Sequence, residues 1–202
     1  MIKKFFSAIA LACLLVLSAN VCSAGSFQTI YTSENFSATL KNDQSIDETF
    51  NTNDGKIRLQ FRRLINTSVD KRMHAIIWLN DERIYDEHFP DVYPAYTFRT
   101  FKDTSNSRLF FVIQSSERAQ MLGYSPAAKK MEVYIDSQNY YCEFSGSPKI
   151  VTTKGGDLIL AFENSDASLS ARYLFSWDEQ KQWFGYRSMG TYHYSINRDT
   201  QY

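Results

Sequence analysis

The chain has 202 residues, and its 22 Lys and Arg side chains balance 22 Asp and Glu side chains to a formal net charge of zero at pH 7. Nucleic-acid-binding domains usually carry a basic face and a high isoelectric point, so the interleaved charges of this chain exclude a domain of that kind. Beyond the N-terminal segment, no apolar run approaches the roughly 20 residues that a membrane-spanning helix needs.

The first 24 residues have the three parts of a secretory signal peptide. Lys3 and Lys4 form the charged region, residues 5–17 form the apolar region, and a small-residue cleavage site ends at Ala24 before Gly25. The apolar region is too short to serve as a membrane anchor. We therefore predict cleavage after Ala24, contact with a membrane only during export, and a final location in the periplasm, outside the cell or at its surface.

Residues 25–202 are predicted to form a single exported β domain. Removing the leader with its two lysines leaves 178 residues, with 20 basic and 22 acidic side chains and a net charge of −2. This length suits one core. Cys142 is the sole remaining cysteine, so an intrachain disulfide is impossible, and its aromatic neighbours predict a mostly buried, inert thiol. The oligomeric state stays open, including a disulfide-linked dimer.

Strand patterns fill the first half of the mature chain. They occupy residues 45–50, 56–62, 73–79 and 82–89. Polar and apolar side chains alternate in the second pattern, which puts Ile57, Leu59 and Phe61 on one face. Asp54-Gly55 separates the first two strands and Asn80-Asp81 the last two, and both pairs favour tight turns. We predict two hairpins.

The second half continues in the same way. Its strand patterns occupy residues 108–114, 131–135, 157–162, 172–177 and 192–196. The continuous apolar runs at 108–114 and 157–162 predict central strands covered on both faces. Only residues 116–122 have a helical rhythm. Because aromatic residues make up 15% of the chain and favour pleated surfaces, we predict an all-β fold, either a compact antiparallel sandwich or a partly open barrel.

Two segments of the second half predict an internal repeat. Residues 109–135 and 158–187 align at spacings of 49 to 53 residues, with Tyr124 equivalent to Trp177. Each segment has an apolar strand, a polar loop, an aromatic-ended strand, a turn and a final strand, as propeller blades do. The mature chain holds only about three such units, fewer than the four blades of a closed propeller. We therefore predict propeller-blade-like hairpin repeats within the sandwich or barrel.

The histidines give only a weak functional signal. His74 and His88 lie near Asp86 and three other acidic residues, so a hydrolytic or metal cluster on the hairpin can be imagined. None of the three histidines is spaced for a shared metal, and hairpin turns carry acidic residues for turn formation and solubility alone. The sequence therefore assigns no catalytic residue, no metal ligand and no cofactor.

Aromatic side chains are the better binding candidates. Tyr140, Tyr141, Trp183 and Tyr186 are the predicted ligand contacts, because tyrosine and tryptophan combine apolar area with a polar group and can offer flat platforms to sugar rings or a partner protein. Strand alternation also sends about half of such residues into a core. The leading hypothesis is a non-catalytic exported domain that binds an envelope or extracellular ligand or partner of unknown identity.

Two alternative functions remain. One is a hydrolase that acts on envelope or extracellular polymers, with His74 or His88 as the base. The other is a small outer-membrane β-barrel, because residues 190–196 form an aromatic terminal strand pattern. Against the barrel, the apolar run at 109–113 lacks the strict alternation of a lipid-facing strand.

Overall fold

The computed structural model describes residues 26–33, 45–65, 71–90, 96–142, 146–164 and 169–189. The regular structure within them consists of thirteen antiparallel strands and one 3-10 turn at Ser137–Asn139, which confirms the all-β prediction. In these ranges, no helix is long and apolar enough to cross a membrane. The predicted signal peptide with its cleavage site at Ala24 and Gly25, and the strand predicted at 192–196, lie outside the described residues.

Sheet I is a four-stranded meander in which each strand pairs with its neighbour in the sequence. Its strands are β2 (Ser45–Thr52), β3 (Gly55–Ile65), β4 (Lys71–Leu79) and β5 (Glu82–Pro90). Both predicted hairpins are confirmed. Asn80 and Asp81 have φ angles of 48° and 71°, which suit the two-residue turn that follows the twist of paired strands. Ile57, Leu59 and Phe61 are buried on one face, as predicted.

Sheet II has five strands in the order β1-β6-β7-β8-β9. They are β1 (Phe27–Ser33), β6 (Thr97–Asp103), β7 (Leu109–Gln114), β8 (Ala119–Ser125) and β9 (Lys130–Asp136). The last four strands form a second meander. Strand β1 precedes sheet I in the chain and pairs with β6, with Phe27 opposite Asp103. All of sheet I is therefore inserted between two paired strands of sheet II.

Sheet III is a third meander, in the order β10-β11-β12-β13. Its strands are β10 (Ser147–Thr152), β11 (Leu158–Glu163), β12 (Leu169–Asp178) and β13 (Trp183–Ser188). Within the described ranges β13 pairs only with β12, so it is an edge strand. Sheet III is tied to sheet II through a backbone hydrogen bond of 2.8 Å, donated by the Phe27 N–H to the Gly156 carbonyl.

The three sheets pack face to face with sheet II in the middle. Strand β7 shows this arrangement most clearly, because its side chains alternate between two apolar layers. Leu109, Phe111 and Ile113 join the layer shared with sheet I, whereas Phe110 and Val112 join the layer shared with sheet III. The predicted central strand covered on both faces is confirmed here. Of the two predicted architectures, the sandwich is the one observed, with three layers.

The second predicted central strand, β11, lies at the outside of the stack. Its alternate residues pack toward sheet II, while Ile159 and Ala161 are buried on the opposite face in a small cluster of their own. On that outer face, Lys149 forms an ion pair with Glu163. Long polar side chains lie at the outer face of β11, and within the described residues no further sheet packs on it.

Residues 116–122, the one segment with a helical rhythm in the sequence, do not form a helix. Ser115 begins a tight turn in which its hydroxyl accepts hydrogen bonds from the N–H groups of Glu117 and Arg118, and β8 begins at Ala119. The first five residues of β8 are all buried, because both faces of sheet II are covered. A strand that is buried on both faces loses the period-two pattern, and periodicity alone cannot separate it from a buried helix.

The predicted repeat corresponds to two three-stranded meanders, β7–β9 and β11–β13. Tyr124 packs against the layer between sheets I and II, and Trp177 lies in the layer between sheets II and III. Tyr124 on sheet II therefore faces sheet I, and Trp177 on sheet III faces sheet II. The structural equivalence of the two units stays a prediction.

Candidate binding surfaces

The first candidate surface is a group of four tyrosines at the rim of the layer between sheets II and III. We call Tyr140, Tyr141, Tyr173 and Tyr186 the tyrosine cluster. The Tyr140 ring lies 5.1 Å from the Tyr186 ring and 5.0 Å from the Tyr173 ring, and Tyr173 lies 5.7 Å from Tyr186. The interplanar angles of 56° to 83° include the edge-to-face geometry that aromatic pairs favour. These three rings therefore restrain one another.

The register of sheet III aligns the cluster with the core. Tyr186 lies opposite Phe175 across β12 and β13, and Tyr173 lies two residues before Phe175 on the same face. The Phe175 ring is buried and lies 5.4 Å from Tyr140 and 6.1 Å from Tyr186. The cluster is thus the solvent-facing end of the core, and its rings are supported from below by a buried aromatic side chain.

A short turn carries Tyr140 from sheet II to sheet III. The Asp136 side chain caps this turn, Ser137–Asn139, by accepting a hydrogen bond from the Gln138 N–H. The Tyr140 N–H then donates to the Ser137 carbonyl at 3.2 Å. The backbone before Tyr140 is therefore fixed at both ends of the turn, which places the ring against β12.

The chemistry of the cluster is that of neutral hydroxyls beside apolar ring area. The Tyr173 hydroxyl donates to the Tyr141 carbonyl at 2.6 Å. Burial raises the pKa of Tyr140 and of Tyr173, and neighbouring tyrosines act in the same direction. Both phenols therefore stay protonated at neutral pH. Tyr186 is 59% exposed and Tyr141 is 74% exposed, so the cluster is open to a ligand.

Trp183 lies at the other end of β13. It is 43% exposed, and its ring lies 4.9 Å from that of Tyr134 on β9. It precedes Tyr186 by three positions, which is about 10 Å along a strand. The structure therefore brings together three of the four predicted contacts and leaves Trp183 apart. Tyr173 is the member that the sequence pattern does not single out, although strand alternation places it on the face of Phe175.

The second candidate surface is the face of sheet I that points away from the core. His74 on β4 lies directly opposite His88 on β5, and Asp86 precedes His88 by two residues on the same face. His74 Nε2 lies 2.6 Å from Asp86 Oδ1, and the two imidazole rings stack nearly in parallel with centroids 4.1 Å apart. We call these three residues the histidine site.

A β-bulge in β5 creates the histidine site. Trp78 pairs with Arg83, but the preceding residue of β4, Ile77, pairs with Tyr85, which leaves Ile84 as an extra residue of β5. A shift of one residue moves every later side chain to the other face of the strand. In an unbroken hairpin the histidine of β4 would lie opposite a glutamate. The two histidines could not be predicted to meet, because the bulge has no clear sequence signal.

Two arginines contact the histidine site, one at His74 and one at Asp86, and they fix where its protons lie. Arg62 Nε donates to His74 Nδ1 at 3.2 Å, so Nε2 carries the His74 proton and donates it to Asp86. Arg83 Nη1 lies 2.6 Å from Asp86 Oδ2. The hydrogen bond from His74 is the main cause that lowers the pKa of Asp86, and the charge of Arg83 acts in the same direction, against a smaller opposing effect of burial. Asp86 is therefore ionised at neutral pH.

This geometry does not favour His74 as a general base. The residue is 6% exposed, and hydrogen bonds engage both of its ring nitrogens. A general base needs a lone pair within reach of the substrate proton. His88 is exposed and stacks on His74, so it is the more accessible histidine of this site.

The rest of this face of sheet I is an ordered polar network. Arg58 Nε donates to Asp47 Oδ1 at 2.7 Å, and the Arg58 guanidinium lies 4.9 Å from the centre of the Trp78 ring. Gln60 Nε2 also donates to Asp47, at 3.3 Å. The hydrogen bond from Arg58 is the main cause that lowers the pKa of Asp47. Side chains on this face are therefore held by cross-strand contacts.

A polar cleft of about 430 Å³ lies between β1 and the turn that joins β10 to β11. Thr29, Thr152, Thr153 and Lys154 are among its lining residues, and the lining includes no histidine, cysteine or carboxylate. The cleft therefore offers hydroxyl groups but no set of groups for acid–base chemistry.

Comparisons with known protein families, curated proteins and solved structures find no match to this chain. The functional argument therefore rests on the two candidate surfaces.

Proposed function

We propose that this protein is an exported, non-catalytic β domain that binds a carbohydrate of the cell envelope or the extracellular space through the tyrosine cluster. The signal peptide predicted at residues 1–24 supports export. The observation that carries the binding proposal is the state of Tyr186. This side chain remains 59% exposed although the rings of Tyr140 and Tyr173 hold it at 5.1 and 5.7 Å.

A restrained aromatic side chain is a good contact residue. Tyrosine offers a large contact area at a low cost in conformational entropy, and a side chain that is ordered before binding loses less entropy still. Its ring can pack on the apolar face of a sugar, and neutral phenols can donate to and accept from sugar hydroxyls. The phenols of Tyr140 and Tyr173 are neutral at pH 7, which suits a ligand rich in hydroxyl groups.

Calorimetric titration of the mature protein with soluble fragments of envelope and extracellular polysaccharides tests the proposal. We expect Tyr186→Ala to weaken binding at least about tenfold, which corresponds to about 1.4 kcal/mol. Tyr186→Phe keeps the ring and is expected to retain part of the affinity. Ile30→Ala is the matched control, because Ile30 is another exposed apolar side chain but lies on β1.

The proposal is wrong if no glycan fragment binds, or if Ile30→Ala weakens binding as much as Tyr186→Ala. Trp183→Ala then measures how far the surface extends. A loss of affinity in that variant places both ends of β13 in contact with the ligand, and an unchanged affinity confines the contact to the tyrosine cluster.

A further inference from the structure

We infer that the histidine site binds a divalent transition-metal ion, and that Zn²⁺ is an ion suited to it. One ligand atom from each of His74, Asp86 and His88 lies within 4.8 Å of the others. The inference is independent of the proposed carbohydrate binding, because the histidine site lies on the outer face of sheet I and the tyrosine cluster lies at the rim of the layer between sheets II and III.

The sheet itself supplies the geometry. His74 and His88 occupy directly opposed positions on neighbouring strands, where Cβ atoms lie about 5 Å apart. Asp86 is two residues from His88, so it projects from the same face. Three side chains thus converge from two paired strands. Because the two imidazole rings are nearly parallel and each nitrogen lone pair lies in its ring plane, a shared ion requires the exposed His88 ring to rotate out of the stack. Three protein ligands with one open position for water are a common arrangement for Zn²⁺.

The donor atoms have the right chemistry. Imidazole nitrogen and carboxylate oxygen are both established ligands of Zn²⁺. Asp86 is ionised and is oriented through its second oxygen, Oδ2, by Arg83 at 2.6 Å. A hydrogen bond to the second oxygen of a ligating carboxylate is the kind of outer contact that holds metal ligands in place. Oδ1 is left on the side of His74, where the ion would lie.

Arg62 opposes the ion and therefore controls its affinity. Metal binding at His74 Nε2 requires the ring proton to move from Nε2 to Nδ1, with no net proton released. The new N–H at Nδ1 then points at the Nε–H of Arg62, which now donates to that atom at 3.2 Å. Two donors cannot share one hydrogen bond. Because the Arg62 side chain is exposed, it can turn into solvent when the ion binds.

The competition with Arg62 gives a specific test. In Arg62→Gln, the amide oxygen can accept a hydrogen bond from the protonated Nδ1, which removes the conflict. We expect this variant to bind Zn²⁺ at least about threefold more tightly than the unmodified chain. The variant also removes a positive charge beside the ion, which acts in the same direction. An ion held at a position remote from residue 62 would not respond to this substitution.

Calorimetric titration of the chelator-treated mature protein with ZnCl₂ measures the binding. We expect saturation at one ion per chain and at least a tenfold loss of affinity in His88→Ala and in Asp86→Asn. Both residues are exposed, and circular dichroism checks that the variants fold. Glu87→Gln is the matched control, because Glu87 lies opposite Ala75 and projects from the other face of β5; its affinity is expected to be unchanged.

Three results would overturn the inference. They are the absence of saturable Zn²⁺ binding, binding that persists unchanged in a folded His88→Ala variant, and an equal loss of affinity in Glu87→Gln. The second result would assign the ion to another position, such as the remaining histidine, His193.

Discussion

Phe110 on β7 lies directly opposite Gly123 on β8, and its ring fills the space that a Cβ atom at residue 123 would occupy. Such a Cβ would lie 2.7 Å from the Phe110 ring and 2.8 Å from the Tyr134 ring. The missing side chain lets these two rings meet edge to face at 5.8 Å across β8. The layer between sheets II and III therefore depends on a glycine in the middle of a buried strand.

Gly123→Ala is expected to destabilise the protein by about 1 to 3 kcal/mol, the usual cost of overpacking a dense core. Urea denaturation of the mature chain measures the change. Gly185→Ala is the control, since the nearest atom to a Cβ at that exposed strand position is 3.9 Å away. Equal stability of Gly123→Ala and the unmodified protein would show that the two rings can shift without loss.

Asp136 is expected to support the fold through its ion pair with Arg118. Burial tends to raise the pKa of Asp136, but the hydrogen bond and charge of Arg118, with donors from Gln138 and Gln120, lower it overall. A lowered pKa in the folded state means that the carboxylate stabilises the fold above its unfolded pKa of about 3.9. That contribution is lost as the pH falls through the folded pKa.

Asp136→Asn tests this linkage. We expect the variant to be less stable than the unmodified protein at pH 7, by about 1 to 3 kcal/mol for a lost charged hydrogen bond. The difference should shrink as the pH falls below about 4. Asp81→Asn, at an exposed turn position where asparagine is well tolerated, should leave stability at pH 7 unchanged. A difference for Asp136→Asn that is constant from pH 7 to pH 3 would contradict the pKa shift.

Cys142 is expected to be partly protected from thiol reagents. The sequence predicts a mostly buried thiol, whereas the structure shows a half-buried one that packs against the layer between sheets II and III. We therefore expect native protein to react with a thiol reagent more slowly than urea-unfolded protein, though not to be inert. Equal rates in the two states would mean that the packing around Tyr140 and Cys142 does not restrict access.

The exported form is expected to begin at Gly25. Intact-mass measurement of protein purified from its native envelope or medium should give the mass of residues 25–202. A mass that includes the leader, or one that carries a lipid, would contradict simple cleavage after Ala24.

The sequence predicts those parts of the fold that depend on local patterns. The alternation in β3 and the Asn80-Asp81 turn identify sheet I because one face of that sheet meets solvent. The start of strand β8 is missed because both faces of the strand are buried, which removes the alternation and leaves a rhythm that resembles a helix. The histidine site is missed for another reason: its register depends on a single extra residue, Ile84, and a one-residue shift has no compositional signal.

The tyrosine cluster is intermediate between these cases. Aromatic composition identifies Tyr140, Tyr141 and Tyr186 as candidates, but it cannot tell which aromatic residues stay at the surface. That outcome depends on where the core between sheets II and III ends. The position of that boundary is set by how the three sheets stack, and local sequence patterns do not predict the stacking.

The insertion of sheet I between β1 and β6 has a consequence for the order of folding. Each meander closes through neighbouring strands, whereas the pairing of Phe27 with Asp103 closes a loop of about 76 residues, and such closures are entropically costly and slow. We therefore expect β1 to dock last, after the three meanders have formed. Pulse-labelling hydrogen exchange during refolding should show protection in β7 and β8 before β1. Until β1 arrives, the exposed edge of β6 presents unpaired backbone groups, so the early intermediate is the state most open to aggregation.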